Sequence, residues 1–166
     1  MLEDVLGFSL IAIAVMGVHV RRLHLETSSS MNTEKQLLKG GCHCRKVRWQ
    51  VIAPICLVVW ECNCSICEMK RNDHVVVPQE NFKLLSGEEA LATYTFNTGV
   101  AKHVFCKCCG VQSFYRPRSN PDGIGITFRC IDNYNKCSFR YEHFEGDKWE
   151  QFIEQSGISK YSKSSS

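Results

Sequence analysis

Glu61 to Lys70 reads ECNCSICEMK, which places Cys62, Cys64 and Cys67 within six residues. Near-neighbour cysteines make poor disulfide partners, because a bridge needs specific Cα and Cβ separations. The same spacing suits thiolates converging on one soft, tetrahedral metal ion. A second set is split along the chain. Cys42 and Cys44 form CxC just after Gly40 and Gly41, and Cys106 and Cys109 form CxxC just before Gly110. Four thiolates close a structural zinc site; three leave the open position of a catalytic one. The seven cysteines therefore predict two zinc ions. Cys42, Cys44, Cys106 and Cys109 hold a structural ion, while Cys62, Cys64 and Cys67 hold a second, open ion whose fourth ligand is a small thiol.

Other readings of these residues stand beside that one. Cys108, inside CKCC, or a histidine (His43, His74 or His103) could close the second site and make it structural. The three thiols could instead be redox-active without metal. Cys56, Cys130 and Cys137 lie in strand or turn contexts and read as small buried hydrophobes. Trp49, Trp60, Phe114 and Tyr115 read as core, and His103 as a strand residue. Glu61, Asp73 and His74 are the nearest titratable side chains to the three-cysteine run and the candidates for a general base.

The elements that must position these residues are mostly short strands. KVRWQVIA (Lys46 to Ala53) alternates with period two, and CLVVWE (Cys56 to Glu61) is a continuous apolar run fit for a buried strand. HVVVP, FKLLSGEE, LATYTFN, KHVFC, VQSFYR, IGITFRC and FRYEHF follow, rich in aromatic and β-branched residues. Two helices are expected: a short turn from Cys64 through Arg71, and Gly146 to Ser156. The pattern predicts a mainly β domain of small antiparallel sheets held together by metal.

The chain has 166 residues, enough for one domain with a real core, and 11 cysteines, an odd and clustered number. Its net charge of +3 is mild and its Lys and Arg residues are scattered, which argues against direct nucleic-acid readout. Val5 to Val20 is apolar but spans 16 residues, short of the roughly 20 a spanning helix needs. Residues 1–30 are expected to be an alternative-start extension or a weak membrane anchor, with Arg21 and Arg22 on the cytoplasmic side. The domain proper is expected over 31–155, followed by a disordered Ser-rich tail over 156–166. Free thiolates place the domain in a reducing compartment, cytoplasmic or nuclear.

The run GGCHC…CNCSIC…TYTFNTGVAKHVFCKCCGVQSFYRPRSNP resembles the glutathione-dependent formaldehyde-activating enzyme family, and most closely its centromere protein V-like branch. The likeness covers about Leu38 to Trp149. It implies a β-tent fold of small antiparallel sheets, a structural zinc on Cys42, Cys44, Cys106 and Cys109, and a second zinc on Cys62, Cys64 and Cys67 that engages the glutathione thiol. The implied activity is that of a carbon–sulfur lyase interconverting S-hydroxymethylglutathione with formaldehyde and glutathione. The centromere protein V-like branch implies the alternative, a non-catalytic zinc-stabilised module associated with microtubules or chromatin.

Overall fold

The computed structural model describes residues 34–163. The expected extension over 1–30, with its apolar run over 5–20, lies outside the described residues. In chain order the strands are β1 (Lys35–Gly41), β2 (Arg48–Pro54) and β3 (Cys56–Cys62), then helix α1 (Ser65–Lys70). Strands β4 (His74–Pro78), β5 (Phe82–Ser86), β6 (Leu91–Tyr94), β7 (His103–Cys106), β8 (Phe114–Tyr115), β9 (Gly123–Thr127) and β10 (Ser138–Phe144) follow, and helix α2 (Trp149–Ser156) comes last. Among the described residues no helix is long and apolar enough to cross a membrane.

Among the described residues these strands form three small sheets: β1-β2-β5, β10-β3-β4-β9-β8 and β6-β7. In β2 the period-two pattern turns Trp49, Val51 and Ala53 into the core. Trp49 is fully buried, and its Nε1–H donates to Ser113 Oγ at 3.1 Å. Strands β4 and β9, flanked on both edges, are buried along nearly their whole length, which is why they read as continuous apolar runs. At Gly125 any Cβ would overlap the Tyr115 ring, so this glycine lets the ring lie flat on the sheet.

All pairs within the sheets are antiparallel except one. Strand β10 runs parallel to β3, from Ser138 opposite Cys56 to Phe144 opposite Cys62. Alternation within each strand carries no information about the direction of its partner, so the expectation of purely antiparallel sheets misses this pair. Its consequence is local: the residues after β10 arrive beside Cys62. Asn63 N–H donates to Phe144 O at 3.2 Å, and Asp147 N–H donates to Asn63 Oδ1 at 3.1 Å.

Several expected strands are shorter than their apolar patterns. LATYTFN stops at Tyr94, VQSFYR reduces to Phe114–Tyr115, and IGITFRC turns into a 3-10 helix at Phe128–Cys130. The expected disorder over 156–166 is corrected as far as residue 163. Gly157, at φ 61°, reverses the chain after α2, and Ile158–Ser162 form a 3-10 helix. Ile158 is 2% exposed, and Tyr161 packs edge-on against Trp60 at 5.7 Å. Buried Asn120 donates from Nδ2 to Ile158 O at 3.0 Å and Ser162 Oγ at 2.9 Å. The serine-rich composition hid two apolar anchors and one buried amide partner.

Two candidate metal centres and a cavity

The first cluster joins distant parts of the chain. Cys42 and Cys44 sit in the β1–β2 turn, Cys106 ends β7, and Cys109 lies in the turn that follows. Their four Sγ atoms lie within 4.8 Å of one another. Cys44 Sγ is 3.5 Å from Cys42 Sγ and 3.7 Å from Cys106 Sγ. A regular tetrahedron with metal–sulfur bonds of about 2.3 Å has sulfurs about 3.8 Å apart, so the set fits a single ion. Val47 N–H points at Cys42 Sγ from 3.4 Å. Burial opposes ionisation of Cys109, but hydrogen bonds from the backbone of Cys44 and Val111, together with those from the Cys44 and Cys106 side chains, bring the thiol down to about 6. These groups favour the thiolate form that a metal requires.

The second cluster is local in sequence. Cys62 ends β3, Cys64 is the N-cap of α1, and Cys67 lies one turn in. The extended backbone of Cys64 followed by one helical turn turns all three thiols to one side. Their Sγ atoms also lie within 4.8 Å of one another. The hydrogen bond from Cys62, then that from Cys67, holds Cys64 down at about 2, while Cys62 is pushed up to about 11 by its bond to Cys64. Cys67 is pushed up by Cys62, then Cys64. Only Cys64 is held in the thiolate form by the cluster itself; ionising all three thiols at this separation would need a cation, and that donor set is one a soft divalent ion accepts. Asn72 orients the cluster: its Nδ2 points at Cys67 Sγ from 3.7 Å while Oδ1 lies 2.9 Å from Thr127 Oγ1.

Among the described residues no His, Cys, Asp or Glu joins these three within the same distance. Cys108 lies elsewhere, accepting from Lys46 Nζ at 3.3 Å, and His43 is exposed in the β1–β2 turn. His74 and His103 come closer, as walls of a cavity of about 400 Å³ that the three cysteines also line. The donors weighed as a fourth ligand therefore stand outside the cluster, which faces a space of ligand-binding size.

The walls of this cavity come from several further segments of the chain. His74 on β4 places Nδ1 at 2.9 Å from Asn72 O, so Nδ1 carries the hydrogen. Its Nε2 then accepts from Tyr115 Oη at 2.9 Å. Burial keeps His74 below its ordinary pKa and lifts Tyr115 well above its own. Tyr115 stacks on His103 at 5.6 Å and 10°, and His103 stacks on Phe96 at 5.5 Å and 28°. On the other side the Arg118 guanidinium lies 3.6 Å over the Trp149 ring and pairs with Glu150. Gly146 packs against Cys62 and Cys64, where a Cβ would come within 2.7 Å of Cys64 Cβ.

Of the three general-base candidates, only His74 reaches the cavity. Glu61 is exposed, and buried Asp73 faces Arg129 at 3.5 Å. Cys56 is exposed rather than a small core residue, because it starts β3 at the end of its sheet; Cys130 and Cys137 are partly buried against the main core. Arg118, Trp149 and Gly146 are not singled out as site residues by their sequence context, and His103 is weighed there only as a fourth ligand or a strand residue. The available signal was the mixture of aromatic, histidine and arginine residues in the TFNTGVAKH and FYRPRSNP runs.

Comparison with known proteins adds two findings. Residues 37–147 match the family model described as glutathione-dependent formaldehyde-activating enzyme, a span that holds all seven clustered cysteines. The crystal structure of a Rhodobacter sphaeroides protein aligns with a TM-score of 0.53 and 27% sequence identity, over 61% of this chain and 99% of that one.

Proposed function

We propose that this chain, which belongs to the glutathione-dependent formaldehyde-activating enzyme family, is a two-zinc carbon–sulfur lyase acting on the adduct of a small thiol and an aldehyde. Cys42, Cys44, Cys106 and Cys109 hold the structural ion; Cys62, Cys64 and Cys67 hold the second. The observation that carries the reading is the three-thiol cluster with no fourth donor among the described residues, set in the wall of a cavity of about 400 Å³.

When bound there, zinc supplies an acceptor for soft sulfur and a positive charge that favours thiolate over thiol. The chain's own residues do the rest. Phe96, His103, Tyr115 and Trp149 build a largely aromatic wall that limits water around a reactive aldehyde. Arg118, held flat on Trp149, offers a guanidinium to a carboxylate of a glutathione-type thiol. Confinement converts a bimolecular addition into a reaction of neighbours. The reaction is RSH + CH2O ⇌ RS–CH2OH: one C–S bond forms or breaks, and one proton passes between sulfur and oxygen.

Native mass spectrometry of the reduced protein, with and without glutathione, tests this. The expected result is two zinc ions per chain and one glutathione bound only while the second ion is present. Two ions with no glutathione at millimolar concentration would refute the thiol reading.

A second reading is a non-catalytic module of the centromere protein V type that meets microtubules or chromatin in a reducing compartment. It is favoured by the edge strand β10, which exposes Phe139 and Tyr141 on one face. Retention on tubulin or nucleosomes that is lost in a Phe139→Ser, Tyr141→Ser double variant would support it; no retention at low salt would dismiss it.

A further inference from the structure

The sheet β1-β2-β5 turns one face to the core and the other to water, and its wet face joins aliphatic side chains to unpaired lysines. We propose that this face is a membrane-surface contact, which seats the domain on anionic lipid headgroups. It stands apart from the thiol–aldehyde chemistry of the cavity.

Strand alternation fixes which side chains share the face. Trp49, Val51 and Ala53 on β2 point into the core, so Ile52 points out. Lys35, Leu37 and Lys39 on β1 are exposed in the same alternation, as are Lys83 and Leu85 on β5. The register sets their spacing. Leu37 lies opposite Ile52, with Lys35 two residues before Leu37 and Lys39 two after. Lys39 is opposite Gln50, and Gln50 is opposite Lys83, so a lysine stands at each end of one cross-strand row. Leu37, Ile52 and Leu85 are 57%, 44% and 47% exposed, which leaves three aliphatic side chains in water on one face.

The charge on this face has one sign. No outward position on the three strands is acidic. Lys35, Lys39 and Lys83 are exposed, and among the described residues none of them is ion-paired. Arg48, also on this side of β2, is paired with Asp132.

That combination selects the occupant. A second copy of the face would bring positive charge against positive charge, which repels. Nucleic acid is gripped through free arginines and stacking rings. Here the one arginine is committed to Asp132, and no aromatic side chain points outward. An acidic peptide would answer the lysines and leave the aliphatic centre unmatched. An anionic bilayer surface answers both, with phosphate and carboxylate headgroups meeting the ammonium groups and the acyl boundary taking up the aliphatic chains. Long lysine stems let the two kinds of side chain sit at different depths. The order of the chain agrees. The apolar run over 5–20, with Arg21 and Arg22 behind it, precedes edge strand β1 in the sequence and lies outside the described residues. One weak hydrophobic signal holds a membrane only marginally, and stable anchoring takes a second, basic one.

The test is cosedimentation of the full, zinc-loaded chain with vesicles of phosphatidylcholine alone and of phosphatidylcholine mixed with phosphatidylserine. Wild type should prefer the anionic vesicles and release them as salt rises. The triple variant Lys35→Gln, Lys39→Gln, Lys83→Gln should bind about a hundredfold more weakly, from roughly fivefold per lysine. The matching triple Lys→Arg variant should bind like wild type. Leu37→Thr with Ile52→Thr should cost about tenfold, a loss that added salt does not remove. None of these residues lines the three-cysteine cavity, so every variant should keep its metal content and melting temperature. The charge and aliphatic variants are independent, so misfolding of one leaves the other to decide. Wild type that binds both vesicles equally, or neither, overturns the proposal. So does a triple Lys→Gln variant that binds like wild type, which would assign the contact to residues outside this face. Binding to polyglutamate as tight as to anionic vesicles, unchanged by the threonine substitutions, would replace the lipid with an acidic protein surface and overturn it as well.

Discussion

Gly146→Ala isolates the second centre from the rest of the fold. Gly146 sits where the chain leaves β10 and touches the three-cysteine cluster. An added Cβ would come within 2.7 Å of Cys64 Cβ and 3.0 Å of Cys64 N, and closer still to Cys62 Sγ. Ordinary carbon contacts begin at about 3.5 Å, so Cys64 must retreat by ~0.8 Å and the Cys62 sulfur by more. Metal–ligand distances tolerate only about 0.2 Å. The backbone is no obstacle to alanine, since Gly146 is not among the glycines with positive φ. The steric term alone acts, at about 1–3 kcal/mol for an overpacked site. Expressed through ligand geometry, it should lower metal affinity at the second centre by at least the 10–100-fold that disturbing a supporting residue costs. The assay is a metal count under a graded chelator, followed by cobalt substitution. The expected result is loss of the second ion at a chelator level that leaves the first in place. Two ions with unchanged affinities would refute the claim that Gly146 sets the geometry of this cluster.

The first centre should behave in the opposite way. Cys106→Ser removes a fully buried thiol of the four-cysteine cluster where β7 meets the β1–β2 turn. Structural zinc contributes on the order of 10 kcal/mol to a small domain's folding, comparable to a whole domain's stability. Circular dichroism should therefore show loss of cooperative unfolding; a variant melting at the wild-type temperature would refute a structural role. The third prediction concerns pH. Burial depresses the pKa of His74 in the folded state. The unfolded chain then binds the proton first, so the stability His74 confers is complete above about 6.5 and is lost as pH falls from there through the lower folded value, by at most about 1.4 kcal/mol per pH unit. In chemical denaturation at saturating zinc, the stability advantage of wild type over His74→Gln should shrink below pH 6.5. A constant difference between pH 7.5 and 5.5 would refute it.

What the sequence revealed divides along a physical line. Both cysteine clusters are legible because their spacings are local: CxC, CxxC and CxCxxC each fix two or three thiols within one turn of chain. HVVVP is legible to the residue, because a strand flanked on both sides is apolar along its length. The walls of the cavity are not legible. Tyr115, His103, Arg118 and Trp149 come from separate segments, and each has an adequate local excuse as a strand, turn or helix residue. The parallel β3–β10 pair is hidden for the same reason: strand direction is a property of the connection. The residues after Gly157 were misread because composition averages over Ile158 and Tyr161, whose individual packing decides the outcome.

The difference between the two centres follows from where their chain segments come from. In the first, two turns 62 residues apart in the chain converge, each carrying two thiols, and four donors meet. In the second, a single stretch of six residues supplies three thiols from one side. A fourth protein donor would have to come from whatever segment crosses the cluster. The parallel register of β10 on β3 delivers such a segment beside Cys62 and Cys64. The residue that arrives closest is Gly146, which has no side chain to donate, and Asp147 next to it is exposed with its N–H held by Asn63. A backbone approach this close with a glycine at the point of contact supports the three cysteines without closing their shell. The three-thiol arrangement, with no fourth donor among the described residues, thus follows from the topology and one missing Cβ, and this is why Gly146→Ala is a sharper probe of the cluster than removal of any of its cysteines.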